Sequence, residues 1–503
     1  MTRVNRLAHA VPALALLCLL GLATLAGCAS TPDECDEGAA ASTASASCVN
    51  PNMDGFTAVA DPIPEEGDEG TGGHDHRDPL QHRFAENASL VGYDDLRRFG
   101  WSPEIVVGAH AVDLASDRDL LAVGVNAGET DEGQQGFHLF DVSDPARLQH
   151  LSFYESELPV SGDRTIAFSQ DGQTVFLGYE GGGVRPGVAA VDVSDPTAPR
   201  EVAFWDDPED FGSHTVSSGT IAGVQYVFSL AMGVNILRFD GDSFTLVGKY
   251  LTADQFAALD AAGMAAGDAG PGPAQTYAFR ALYGHDMTFF QDPVTGKPIL
   301  FVAYAYEGFK AVDLTVPSAP VLLFRWMPPA DTAHKHYTHS VEVARLDSGQ
   351  LLVVVGSETF EAENQGIASP IWILDATVAA AGLPLASEPV HVSTWRNPGG
   401  AAAGNLGLSV HFFRIEDGLL YLSHYHGGIW AIDLRTPDAQ AEPQAFGYIM
   451  PLPPTAIEPP EDCCIGFDLD GAPMVFDLEV KDGVVYGADI IQGVTASRFE
   501  LPN

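Results

Sequence analysis

The chain is 503 residues long and carries 68 acidic against 24 basic side chains, a formal charge of −44 at pH 7. A field of that sign repels phosphate backbones and anionic lipid surfaces, so nucleic acid is excluded as a partner and a monomer in cation-rich surroundings is expected. Six cysteines include no paired CxxC motifs, which rules out a structural zinc ribbon.

In chain order, the first element is an export signal. Arg3 and Arg6 form a short basic region, and Val11 to Leu25 is an almost unbroken apolar run, too short for a spanning helix. It ends in Leu25-Ala26-Gly27-Cys28, which resembles the lipobox of bacterial lipoproteins. The resemblance implies cleavage after residue 27, acylation of Cys28 and lipid anchoring at the extracytoplasmic face of the cell envelope. Ala29, with no Asp in its place, fits the outer membrane where a cell has one. Residues 28–80 are rich in Ala, Ser, Thr, Gly, Pro and acids and read as a disordered linker. Within it Cys35 and Cys48 are free to pair in an oxidising compartment. Cys463-Cys464 reads either as a vicinal disulfide or as two separate thiols.

Residues 81–503 read as one repeat domain. Gly136-Phe-His-Leu-Phe-Asp-Val-Ser-Asp-Pro145 recurs as Gly187 to Pro196, Gly308 to Pro317 and Gly428 to Pro437, with weaker copies at Gly233 to Asp240, Pro370 to Asp375 and Gly493 to Glu500. Each copy is a glycine, an apolar strand, an Asp to cap the turn and usually a Pro to end the ladder. Two apolar runs precede each copy, as in His339 to Ala344 and Leu351 to Val355, and an outer strand follows, as in Phe244 to Tyr250. Seven such four-stranded antiparallel units predict an all-β, seven-bladed β-propeller. The seventh copy ends at Glu500 without an outer strand. Asn87 to Tyr93 resembles Phe244 to Tyr250 and is expected to supply it, closing the ring.

The repeats are similar to the LVIVD family, named for strands such as Ala190-Val-Asp-Val-Ser-Asp-Pro196, over roughly residues 87–500. That resemblance implies an envelope propeller and leaves activity open. It also offers a structural use for a histidine at the start of the innermost strand.

Such histidines recur in five blades: His110, His214, His285, His339 and His411, with Arg164 and Phe476 in blades two and seven. Loops between second and third strands open on the same rim and bring His424, His426, Glu180, Glu307, Glu358 and Asp489. Converging imidazoles and carboxylates suit a borderline transition metal such as copper, zinc or iron. The expected ligands are three or four of His285, His339 and His411 with His424 or His426 overhead, and His110 and His214 are further candidates. A histidine repeated by register also forms a ring with no ion in it, capping loop backbone instead.

The long insertions, about 252–280 and then 327–337, 392–408 and 451–473, all join an outer strand to the next inner strand and so decorate that rim. There is no phosphate loop, nucleophile elbow or HExxH motif. The expected role is a non-catalytic surface module binding an extracellular protein or small-molecule ligand through the loop-rich face. The competing reading is a metal-dependent oxidoreductase, copper being one choice, similar in layout alone to selenium-binding proteins that act as methanethiol oxidases.

Overall fold

The computed structural model describes residues 85–96, 108–126, 135–158, 165–180, 185–208, 212–231, 233–250, 284–305, 307–329, 338–358, 369–397, 402–403, 406–407, 409–451 and 473–502. The expected signal at 1–27, Cys28, the linker to residue 80, Arg164, the 252–280 insertion, and Cys35, Cys48, Cys463 and Cys464 lie outside them.

Among the described residues, seven antiparallel sheets of four or five strands follow one another along the chain, with a two-stranded ribbon at Ala402–Ala403 and Leu406–Gly407 besides. Blade 1 runs from Gly108 to Glu155, blade 2 from Ile166 to Asp206, blade 3 from Thr215 to Tyr250 and blade 4 from Asp286 to Trp326. Blade 5 runs from Thr338 to Arg396, blade 6 from Phe413 to Ile449 and blade 7 from Val475 to Phe499. The chain is therefore an all-β, seven-bladed propeller, as the repeats predict.

The repeat motif has a physical reason at each end. Its glycine opens the third strand with positive φ, at Gly136, Gly187, Gly308, Gly428 and Gly493. A Cβ there would run into a carbonyl of the outer strand, at Tyr154, Trp205, Trp326, Ile449 and Asp94 respectively, so only glycine fits. At the other end the aspartate accepts the backbone N–H two residues on: Ser143 to Asp141 (2.9 Å), Ser194 to Asp192 (3.0 Å), Thr315 to Asp313 (2.7 Å), Thr377 to Asp375 (2.9 Å) and Arg435 to Asp433 (3.0 Å). These are Asx turns. Hydrogen bonds from Ser143 and Ser194 hold Asp141 and Asp192 below the usual carboxylate range.

Between those ends the strands are apolar on both faces because each blade packs between two neighbours. In blade 5, Leu351, Val353 and Val355 enter the cluster shared with blade 4, while Leu352 and Val354 enter the cluster shared with blade 6. Each such side chain contributes roughly 1.5–3 kcal/mol of burial free energy. In every blade the pairing of third and outer strands slips once, for example between Leu139 and Phe140 and between Ala431 and Ile432. A bulge repeated in this way bends each outer strand alike.

The ring closes through the N-terminal segment. Ala88–Asp94 pairs antiparallel with Gly493–Phe499 and supplies blade 7 with its outer strand. Just before it, Ala85–Glu86 pairs with Tyr448 and Ile449, so blade 6 has five strands where four were expected. Two one-turn helices sit between third and outer strands, α1 at Thr377–Ala381 and α2 at Pro437–Ala441. Thr436 caps α2 by accepting the Ala439 N–H, and Pro437 sits in its first turn.

Candidate metal centre at the channel mouth

The innermost strands line the channel, and side-chain bonds tie each to the next blade. Thr215 donates to the His285 carbonyl (2.5 Å), Ser340 donates to the His411 carbonyl, and the Asp286 and Asp477 carboxylates accept the N–H of Val341 (3.0 Å) and Val112 (3.2 Å). Thr215, Asp286 and Ser340 each follow a histidine directly. The bond that fixes one strand to the next thus also fixes where the neighbouring imidazole stands.

All five strand-start histidines are buried. Four of them form an arc of packed rings: His214 to His285 at 4.5 Å between centroids, His285 to His339 at 3.9 Å and His339 to His411 at 4.3 Å, continued by Phe476 at 4.0 Å from His411. His110 is outside the arc and bonds Thr165 through Nε2 at 3.0 Å.

Two glutamates from loops between second and third strands reach the arc. Glu180 pairs with His214 Nδ1 at 3.0 Å. Glu358 lies 3.7 Å from His339 Nε2 and 4.0 Å from His411 Nε2, and its Oε1 accepts the Tyr425 hydroxyl. Among the described residues, the group of histidine and carboxylate atoms lying within 4.8 Å of one another is His285, His339 and Glu358.

Hydrogen bonding assigns the tautomers. His411 Nδ1 is 2.7 Å from the Phe476 carbonyl, which can only accept, so the proton is on Nδ1. Ser340 spends its hydroxyl proton on the His411 carbonyl, so at 2.6 Å it accepts from His339 Nδ1–H. In the neutral form of either ring Nε2 is therefore the lone-pair nitrogen, and both Nε2 atoms lie near the Glu358 carboxylate.

His424 and His426 are buried but are not in the His285–His339–Glu358 group; Tyr425 between them is the side chain that reaches it, with its ring 4.9 Å from His411. The ring of His424 is wholly buried, and that burial pushes its imidazole down to about 3. Tyr425 has φ 45°, a backbone reversal that the alternation of His424, Tyr425 and His426 does not announce.

Asp489 accepts N–H bonds from Met474, Ile491 and Gln492 and caps the blade 7 turn instead of facing the arc. Glu307 sits in the tight Tyr304–Gly308 turn. Ser340 and Tyr425 were missed at the sequence level. For Ser340 the available signal was its place directly after His339, matching Thr215 after His214.

The channel's other end is closed differently. Arg414 bonds Glu479 (Nε to Oε1, 2.6 Å) and Glu342 (3.2 Å), joining blades 5, 6 and 7. Beside them lies a cavity of about 470 Å³ lined by Asp113, Phe168, Ser217 and Thr288 among others, with none of the histidines in its wall. Both Asp113 oxygens accept backbone N–H groups, from Leu114 and Phe168. Among the described residues the histidine–carboxylate cluster therefore lies at one mouth of the channel, and this cavity lies toward the opposite one.

No protein-family model matches the chain, and no curated protein does. Solved structures with similar folds include Saccharomyces cerevisiae Sqt1, 12% identical with a TM-score of 0.45, covering 82% of this chain and 99% of that one. The WD40 β-propeller domain of Doa1 is 10% identical with a TM-score of 0.46, covering 82% and 96%. The β-propeller domain of Cps50 (Swd1) from Myceliophteria thermophila is 8% identical with a TM-score of 0.47, covering 79% and 97%. At these values the likenesses say nothing about what the chain binds.

Proposed function

We propose that the chain is an exported LVIVD-type lipoprotein, held at the extracytoplasmic face of a bacterial envelope membrane by acylated Cys28. Its propeller acts as a binding module for a ligand or partner at the histidine-bearing mouth. The carrying observation is an asymmetry between the two faces. Tyr250 to Asp286, Trp326 to Thr338, Arg396 to Phe413 and Ile449 to Val475 are the wide intervals between outer and next inner strands, and all open at the end where the histidines begin. At the opposite end the first two strands of a blade are joined by turns as tight as Ala222-Gly223, Asp417-Gly418 and Asp482-Gly483, and the longest connection there, Asp375 to Val390, carries α1. Long segments gathered on one end of a rigid scaffold mark its binding end. The Leu25-Ala26-Gly27-Cys28 motif and the charge of −44 support export and a solvent-facing life.

Expression of the full chain in a bacterial host grown with labelled palmitate tests the location. The chain should take up label, fractionate with membranes and be cut by protease added outside the cytoplasm, and Cys28→Ala should lose label and membrane attachment. An unlabelled chain retained in the cytoplasm contradicts the reading. Binding is tested by a thermal-shift survey of the mature protein against sugars, amino acids and amines. Stabilisation should be lost when residues 252–280 are replaced by a short Gly-Ser linker. Stabilisation that survives the graft but disappears on altering the 292–297 turn at the other end places binding on the wrong face.

A second reading, a metal-dependent oxidoreductase, is favoured by one observation, the convergence of His285, His339 and Glu358 beside a stack of aromatic rings.

A further inference from the structure

We infer that His285, His339 and Glu358 form a three-ligand site for one divalent transition-metal ion, with His411 packed beside His339 and an open coordination position on the channel. The inference deepens the binding-module reading by naming the class of ligand taken at the mouth. Its failure would leave the lipid anchor and the loop-bearing face untouched.

The first observation is convergence. One ligand atom from each of the three residues lies within 4.8 Å of the other two. Two ligands each about 2.0–2.1 Å from a tetrahedral ion stand roughly 3.4 Å apart. The 3.7 Å between His339 Nε2 and Glu358 Oε2 needs only a slight contraction to reach that.

The second observation is polarity. His339 and His411 hold their protons on Nδ1, against Ser340 and the Phe476 carbonyl, and so turn lone pairs toward an acidic side chain. The neutral His339 lone pair and the Glu358 carboxylate repel one another in a buried site; a cation between them makes both interactions favourable. Holding Nδ1–H on a backbone or side-chain acceptor while Nε2 faces the ion is how proteins orient metal-binding imidazoles. The carboxylate is oriented too. Tyr425 donates to Oε1, and Oε2 is the oxygen nearer His339.

The donor set selects the ion. Two imidazoles in three ligands disfavour calcium and magnesium, which take oxygen, and favour zinc, cobalt, copper or ferrous iron. Two neutral rings and one carboxylate leave a divalent ion with one unit of positive charge. Three protein ligands, rather than four, leave room for an exogenous anion or water. His214 is not in the group of atoms that lie within 4.8 Å of one another, and its Nδ1 pairs with Glu180 instead.

The test uses the mature protein in detergent, stripped with chelator and titrated with Co(II), whose visible absorption reports ligand number, and with Zn(II) by calorimetry. One equivalent should bind, with the intensity of a four-coordinate ion. Glu358→Gln and His339→Ala should abolish it, and His391→Gln, on an exposed outer strand, should not. Tyr425→Phe keeps all three ligands and a fold close to wild type, and should weaken binding about 10-fold by releasing Glu358. Binding below one equivalent, binding that survives both ligand variants, or an affinity unmoved by Tyr425→Phe overturns the inference.

Discussion

His424 shows what a buried histidine does here when it is not turned to the arc. Its backbone N–H bonds Gly428 and its carbonyl accepts from Gly427, both at 2.8 Å, and its ring is sealed under that turn. Removal from water disfavours the charged imidazole and drives its pKa down to about 3. The unfolded chain protonates His424 near the ordinary value of 6.5, and the folded chain resists until about 3. Its contribution to stability is therefore complete above pH 6.5 and is lost as pH falls toward 3, by at most roughly 1.4 kcal/mol per pH unit. Urea unfolding at a series of pH values should show this slope between pH 6 and 4 in the wild type, and a flatter one in His424→Gln. Equal slopes would mean that His424 is accessible to protons in the folded state.

At the scale of elements, blades are joined by contacts that repeat around the ring. On the outside, Gly92 in the N-terminal strand lies against the Pro145 carbonyl of the blade 1 turn, and Gly248 lies against the Pro317 carbonyl in the same way. Ser152 donates to the Pro196 carbonyl (2.6 Å) at the corresponding contact between blades 1 and 2. Gly92→Val would force a side chain into the turn and should destabilise the ring by about 1–3 kcal/mol, read as a lower urea midpoint. On the inside, Arg414→Leu would leave Glu342 and Glu479 facing each other without their cation. Both carboxylates are about a tenth exposed. The cost should be about 3 kcal/mol, near the lower end for a broken buried pair. A loss below about 1 kcal/mol would show that the triad is solvated.

The strand repeats were legible because the periodic apolar runs, the obligatory glycine and the Asx aspartate are local features. The outer strand of blade 7 was legible because Asn87 to Tyr93 copies Phe244 to Tyr250. The extra strand at Ala85–Glu86 was not, since two residues carry no periodicity. At the site, the register of the histidines placed His214, His285, His339 and His411 in one arc. The departure of His110 follows from Thr165 in the neighbouring blade, and the entry of Tyr425 in place of its flanking histidines follows from a positive φ. Neither can be read from spacing along one chain.

At the scale of the whole molecule, rotation about the channel turns one repeated residue into an arc. The two ends of that channel then receive different chemistry. At one end imidazoles and a carboxylate meet; at the other a guanidinium sits between two glutamates. No helix among the described residues is long and apolar enough to cross a membrane. The most direct measurement is an anomalous-scattering map from crystals of the mature protein grown with one equivalent of zinc. The expected result is a single strong peak enclosed by His285, His339 and Glu358, with His411 beside it. Peaks confined to exposed carboxylates, or a peak between His424 and His426 with the arc empty, would contradict it.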